Sequence, residues 1–328
     1  MTMFKALQIS KTDDGQKLDW VELSEKDLME GDVTVKVEKT TVNYKDGLAI
    51  TGSSPVVRHW PMIPGIDFAG TVLSSQHDEF KKGDAVILNG FGVGETHWGA
   101  YSEVARVKGD WLIHKPENIS AHDAMAVGTA GYTSMLCVLA LEESGLTPDK
   151  GPILVTGANG GVGSVAIALL AKAGYEIIAS TGRPEEEAFL KSLGAHQIID
   201  RSELSEKGRP LGKERWAGAI DAVGSHSLAN ILAQTQYGGV VACCGLAQGF
   251  DLPTTVMPFI LRGITLRGVD SVYASKEKRI KAWDRIANDL DRDILASLTR
   301  EIPLESVIQA GHDILDGKIR GRVVVNIS

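Results

Sequence analysis

Apolar and polar positions change rhythm about a third of the way along the chain. Before that point short runs alternate between apolar and polar residues: Lys5–Ser10, Val33–Val42 after the turn Glu30-Gly31-Asp32, Gly70–Ser74, and Ala85–Asn89 after Lys82-Gly83-Asp84. Alternation of period two buries one face of a strand, and Gly-Asp pairs turn the chain between strands, so this part predicts a compact, mostly β domain. The start Met1-Thr2-Met3-Phe4-Lys5 runs straight into this alternation rather than into an apolar signal core. No run approaches the roughly 18 apolar residues that would span a bilayer, so neither export nor a membrane location is expected.

Near Ala126 the residues become small and helix-favouring, through Gly128-Thr129-Ala130-Gly131-Tyr132-Thr133 into a helix at Ser134–Ser144, and a domain boundary is expected there. From Gly151 strands alternate with helices, the pattern of a parallel sheet with helical crossovers. Ile153–Thr156 reads as a strand, Val162–Ala173 as a helix and Glu176–Ser180 as the next strand. A helix over Glu185–Leu193 has Pro184 at its first turn, three glutamates where the dipole favours acid, and Gly194 where a left-handed stop is wanted. Strands at Gln197–Asp200, Ala219–Val223, Val240–Cys244 and Ile264–Val269 bring the sheet to about six. A helix at Lys278–Leu290 follows, and the closing strand Arg322–Ile327 is placed to rejoin the first domain.

With 328 residues the chain can bury two cores of ordinary size, and 43% apolar with 23% charged residues is the composition of a folded globular protein. A net charge of −8 repels phosphate backbones and anionic lipid, so no nucleic-acid partner is expected and any phosphate ligand must be captured locally. Cys137, Cys243 and Cys244 have neither metal-knuckle nor disulfide-framework spacing and read as small buried hydrophobes, which suits a reducing cytoplasm.

The chemistry concentrates in Val155-Thr156-Gly157-Ala158-Asn159-Gly160-Gly161-Val162-Gly163. Glycines between a buried strand and a helix let the backbone approach a pyrophosphate, while the helix start offers free N–H groups and positive dipole. Here a strand precedes the loop and a helix with Val165, Ala166, Leu169 and Leu170 follows, so a dinucleotide site is expected, with Asn159, Gly160, Gly161 and Val162 at the phosphates. About twenty residues on, where an acid would hold an unphosphorylated ribose, stand Ser180-Thr181-Gly182-Arg183. Hydroxyls beside a guanidinium accept a 2′-phosphate, so the cofactor expected is NADP(H), with Arg201 as a second clamp or a plain surface charge. Leu246, just past the Val240–Cys244 strand, joins the cofactor-binding set.

With this loop, Asn43-Tyr44-Lys45-Asp46-Gly47-Leu48-Ala49-Ile50-Thr51-Gly52, Pro61-Met62-Ile63-Pro64-Gly65-Ile66-Asp67-Phe68-Ala69-Gly70 and Val107-Lys108-Gly109-Asp110-Trp111 carry a resemblance. Gly128-Thr129-Ala130-Gly131 and the segment from Leu252 to Arg262 extend it over nearly the whole chain. The chain resembles the zinc-free medium-chain dehydrogenase/reductases of the quinone oxidoreductase-like branch, and within it bacterial NADPH-dependent acrylyl-CoA reductases. The resemblance implies an α/β protein with a Rossmann domain at 127–271, a GroES-like catalytic domain from 1–126 and 272–328, an active site in the cleft between them, and a homodimer. Metal-dependent relatives carry a cysteine near position 43 and a His-Glu pair near 66–67; this chain has Asn43, Ile66 and Asp67, so no zinc is expected.

Without a Lewis acid the chemistry expected is reduction of an activated double bond, whose own carbonyl or thioester absorbs the electron pair. Within that chemistry the resemblance implies reduction of acryloyl-CoA to propionyl-CoA, with an acyl-CoA as the small-molecule partner. Two rivals stand beside it: a quinone or α,β-enone reductase, and an idle NADPH-binding or RNA-binding protein. Tyr44 is read either as a hydrogen-bond or proton donor near the nicotinamide, or as an aromatic packed on the cofactor or in the first domain. Asn43 either orients the nicotinamide amide or the enolate oxygen, or serves a turn; Asp67 is catalytic or a buried structural acid. Lys318, Arg320 and Arg322 read as a basic cluster or as solvated charges, with Arg322 preferred for phosphate. Arg58, His59 and Arg262 are loose candidates for CoA.

Overall fold

The computed structural model describes residues 3–327; Met1 and Thr2, at the expected entry to the first strand, lie outside the described residues. The chain divides into two compact units. One holds the residues up to Thr129, Val272–Ala287 and the chain from Leu295 onward; the other holds Ala130–Ser271 with Asn288–Ile294. The division thus falls after Thr129 rather than Ala126, and a short piece of the tail, expected wholly in the first unit, belongs to the second.

In the first unit a hairpin pairs Met3–Thr12 with Gly15–Ser24. A second sheet runs in the order Thr299–Pro303, Arg322–Asn326, Val33–Thr41, Asp67–Ser75, Ala85–Asn89, Leu112–His114, with Val104–Val107 also paired to Val33–Lys36. The closing strand lies antiparallel to the early one, Val324 opposite Thr41, so the two ends of the chain share this sheet. Val33, Val35, Val37, Phe68 and Val323 point into its core, each no more than 1% exposed. On it sits the short helix Tyr44–Thr51, packed against Val307–Leu315. A Cβ at Gly47 would stand 2.7 Å from the Gly311 carbonyl oxygen, so the two helices touch backbone to backbone and the position of Tyr44 is fixed from behind.

The second unit is a six-stranded, wholly parallel sheet ordered Gln197–Asp200, Ile177–Thr181, Ile153–Val155, Trp216–Asp221, Thr235–Cys243, Thr265–Gly268. The first strand in sequence lies in the middle, and the winding reverses between Ile153–Val155 and Trp216–Asp221. Loops at the carboxyl ends of these two strands therefore diverge and leave a crevice, which is where such sheets bind ligands. Leu154, Ile178, Trp216, Ile231 and Val241 form the core beneath.

The expected helix Glu185–Leu193 is a tight turn Pro184–Glu186 continued by Glu187–Ser192. The expected helix at Ser134–Ser144 is the end of a longer one, Ala121–Glu143, interrupted at Gly128, whose φ of 51° and ψ of −161° are not helical. This helix is long and apolar enough to cross a membrane, with a mean hydropathy of 1.6, contrary to the expectation that no run reaches that length. Because 89% of the apolar window is buried within the protein, the apolarity is accounted for by core packing.

Candidate functional site

The glycine loop sits where the winding of the parallel sheet reverses. Gly157 takes a left-handed φ of 58°, and the tight turn closes with the Gly160 N–H donating to the Gly157 carbonyl at 2.9 Å, from which the helix Gly161–Lys172 starts. The loop is stitched to the next strand: the Ala158 N–H donates to the Ser180 carbonyl at 3.2 Å, and the Thr181 hydroxyl donates to Asn159 Oδ1. Asn159 is 4% exposed, and its Nδ2 has no hydrogen-bond partner among the described residues. A buried amide donor without an acceptor needs an explanation, and a ligand oxygen at a helix start supplies one. The residues present thus fit a dinucleotide.

At the end of the second strand the arrangement differs from expectation. Ser180 and Thr181 were expected to offer hydroxyls to a phosphate, but both are buried, and Thr181 gives its proton to Asn159. Thr181 instead organises the two arginines: its hydroxyl oxygen accepts the Arg183 N–H at 3.0 Å and its carbonyl accepts the Arg201 N–H at 2.9 Å. The outward surface is made by Gly182, half-buried Arg183 and exposed Arg201. A Cβ on Gly182 would stand 2.4 Å from Arg201 Nε, so the Arg201 side chain lies across Gly182. No carboxylate occupies this turn.

Across the reversal, Asp221 was missed by sequence reasoning. The Thr156 hydroxyl donates to its Oδ1 at 2.7 Å, and the Gly224 N–H donates to Oδ2 at 2.9 Å. Burial pushes this carboxyl above the usual range, and the hydrogen bonds oppose that. Asp221 thereby ties the first strand to the turn at 222–225, where Ser225 is held at a φ of 48°. Its signal was an acid closing the otherwise apolar Ala217-Gly218-Ala219-Ile220. Leu246, 63% exposed, follows Gly245, whose Cβ would meet the Ala222 carbonyl oxygen at 2.5 Å, so its loop rests against this turn.

In the first unit Tyr44 opens its helix and is 47% exposed, with its phenol at the surface rather than in the core. Asn43, before it, is buried; its Nδ2 donates to Asp67 Oδ2 at 3.1 Å. Asp67 is fully buried, with the same oxygen taking the Thr129 N–H at 2.6 Å. Burial pushes the Asp67 carboxyl up, and the Arg322 charge pulls it back down. The expected basic cluster is not one. Lys318 is exposed and paired with Asp316, Arg320 is exposed, and Arg322 is 2% exposed, with Nε donating to the Ala126 carbonyl and Nη2 to Thr41 Oγ1, both at 2.8 Å. Those nitrogens serve the interior, so Arg322 is a buried counter-charge to Asp67 in place of a surface phosphate clamp. Gly128 makes the room, since a Cβ there would stand 2.4 Å from Arg322 Nη2.

Arg58 and His59 are exposed. Arg262 is spent on the Ala233 and Thr235 carbonyls, at 2.8 and 3.2 Å, and on Glu214, so the structure gives it a scaffold role instead of a CoA contact. Cys137 is buried and Cys243 and Cys244 half-buried, all as free thiols; burial pushes Cys243 up to about 11. Among the described residues no three His, Cys, Asp or Glu side chains converge as a metal set.

A doubly wound sheet with a glycine loop at its reversal, a strand end carrying arginine instead of acid, and a separate β unit presenting a tyrosine define a dinucleotide-dependent oxidoreductase of two domains. Residues 29–117 match the family described as alcohol dehydrogenase GroES-like domain, and residues 161–288 the family described as zinc-binding dehydrogenase. The chain is 53% identical to the acrylyl-CoA reductase AcuI of Ruegeria pomeroyi, over 99% of this chain and 100% of that protein. The crystal structure of the yhdH oxidoreductase from Salmonella enterica in complex with NADP superposes with a TM-score of 0.97 at 51% identity, covering 99% of this chain and 100% of that one. That of Bacillus subtilis yhfP with NAD bound gives 0.96 at 45%, covering 100% of both. The chain belongs to the medium-chain dehydrogenase/reductase family, in the group that includes the acrylyl-CoA reductases.

Proposed function

We propose that the chain is an NADPH-dependent reductase of the activated C=C bond of acryloyl-CoA, giving propionyl-CoA. The observation that carries this reading is the 53% identity, over essentially the full length of both chains, to an acrylyl-CoA reductase. NADPH, when bound, supplies the hydride that adds to the substrate β-carbon. The chain's own residues then have three tasks. Gly161 and Val162 hold the pyrophosphate with backbone N–H groups and Asn159 with its Nδ2, on the turn that Gly160 closes. Arg183 and Arg201, both anchored on Thr181, hold the 2′-phosphate by charge-assisted hydrogen bonds. Tyr44 offers its O–H to the enolate that forms as the β-carbon is reduced, either steadying the oxygen or protonating the α-carbon. Asn43, bonded to buried Asp67, orients the backbone from which Tyr44 projects, and Asp67 is a structural acid.

The test follows the two added hydrogens. Turnover of acryloyl-CoA with NADPH in heavy water places one deuterium on the α-carbon of propionyl-CoA and none on the β-carbon; deuterium at the β-carbon, or no turnover, contradicts the reading.

The working form is a homodimer in a reducing cytoplasm. The strand Thr265–Gly268 ends the parallel sheet with no further strand beyond it among the described residues, and Phe250, Val256, Ile260 and Leu261 near it are 55–93% exposed. An open edge beside exposed apolar groups is a liability that a second copy relieves. Light scattering is expected to give twice the chain mass, and Ile260→Glu half of that.

A further inference from the structure

Three hydrogen bonds close a ring around the residue that precedes Tyr44. The Asn43 backbone N–H donates to Asp46 Oδ2 at 2.8 Å, the Asn43 side chain donates to Asp67 Oδ2 at 3.1 Å, and the backbone N–H of Ile66 donates to Asp46 Oδ1 at 3.0 Å. An acid in the first turn of a helix ordinarily serves that helix alone. Asp46 spends its second oxygen on a residue twenty positions further along the chain, where the strand carrying Asp67 begins. It does so at 0% exposure, beside the buried Asp67 carboxylate and the Arg322 guanidinium. A fold that needed only a helix cap would not bury a second like charge to obtain it.

We propose that Asp46 is a positioning residue for the reaction: by gripping both the helix start and the 66–67 segment, it sets where the Tyr44 phenol stands. This rests on Tyr44 being the O–H donor of the proposed reduction. Two oxygens of one rigid carboxylate define the register of the two segments, and the Gly47–Gly311 contact blocks retreat of the helix. Small misplacements of a reacting group cost rate far more than they cost binding.

The groups facing Asp46 are the Asp67 carboxyl, the Arg322 guanidinium and the Tyr101 phenol, while the helix Val307–Leu315 meets this turn with glycine and aliphatic carbon. Burial, reinforced by the Asp67 charge, pushes Asp46 up to about 7. Protonation leaves one oxygen a poor acceptor, so the ring loosens as pH falls through that value.

The experiment is the pH profile of kcat with acryloyl-CoA, together with KM for NADPH, for the wild type, Asp46→Asn and Tyr44→Phe. The wild-type kcat is expected to fall as pH drops through about 7. Asp46→Asn is expected to lose about 10- to 100-fold in kcat on the alkaline side, keep KM for NADPH within about 2-fold, and show no acid limb. Tyr44→Phe is expected to lose at least about 10-fold. If Asp46→Asn keeps the wild-type kcat and limb while Tyr44→Phe falls, the positioning role is overturned and the Tyr44 reading stands. If Tyr44→Phe keeps full kcat, the Tyr44 reading fails and the positioning role with it. The wild-type profile needs no variant: a flat acid side overturns the role even where Asp46→Asn does not fold.

Discussion

Gly163 lies so close to Gly157 that a Cβ on Gly163 would stand 2.4 Å from the Gly157 carbonyl oxygen. The helix start proposed to receive the cofactor phosphates is therefore seated directly on the Gly157 turn, and only hydrogen fits at the contact. Gly163→Ala must push the helix start away from the loop. It is expected to weaken NADPH binding by at least about 30-fold, read by fluorescence titration, since aligned N–H donors to an anion are worth about 1.5–3 kcal/mol each.

Arg183→Ala tests the arginine end of the site. Loss of a charge-assisted contact to the 2′-phosphate is expected to weaken NADPH about 10- to 100-fold and NADH by less than about 3-fold. Equal losses for the two cofactors would remove the phosphate role from Arg183. The NAD-bound relative at 45% identity makes this a sharp comparison, because fold alone does not choose the cofactor.

Asp46 and Asp67 give stability an unusual pH dependence. Burial raises both folded-state values, Asp46 to about 7 from 3.8. A carboxyl raised in this way binds more protons folded than unfolded, so its ionisation destabilises the fold. The penalty is absent below the unfolded value, accrues as pH rises, and is complete above about 7. The melting temperature is expected to fall between about pH 4 and about pH 7, and Asp46→Asn to flatten that slope. A melting temperature that rises across this window would contradict the burial of these groups in ionisable form.

Asp67→Ala separates a structural acid from a catalytic one. It strips Arg322 of its nearest compensation in the interior and leaves the Asn43 and Thr129 donors unmatched. A loss of about 3 kcal/mol in denaturant unfolding is expected. Asp67→Asn, which keeps an acceptor of the same shape, is expected to lose less, and to retain most of kcat. Loss of all activity in a stable Asp67→Asn protein would make Asp67 a direct participant.

The sheet of the second unit was legible because its strands are short apolar runs separated by helices; Gln197–Asp200 was placed to the residue, and the neighbouring strands shifted by one to five positions. Where long-range contacts decide, the pattern was silent. The strand Gly15–Ser24 is half-exposed on both faces, so it shows no clean alternation, and only its pairing with Met3–Thr12 makes it a strand. The helix Tyr44–Thr51 is eight residues long with a glycine inside, too short for periodicity, and is held by Gly311. Arg322 reads in the sequence as a phosphate ligand or a solvated charge because nothing local marks the space that Gly128 leaves for it. Ser180 and Thr181 had the composition of a phosphate site, but both are buried at the end of the strand, opposite Ile199 and Asp200. Asp46 was read only as part of a motif, since its second partner lies in a different segment.

That the reducing power of NADPH is directed at an acyl-CoA double bond is open to direct measurement. The most direct test is kcat/KM with NADPH for acryloyl-CoA against 1,4-benzoquinone under identical conditions. Binding energy from the CoA moiety is expected to favour acryloyl-CoA by at least about 100-fold, and to be largely lost on a truncated acryloyl thioester. A quinone that matches or exceeds acryloyl-CoA would contradict the account.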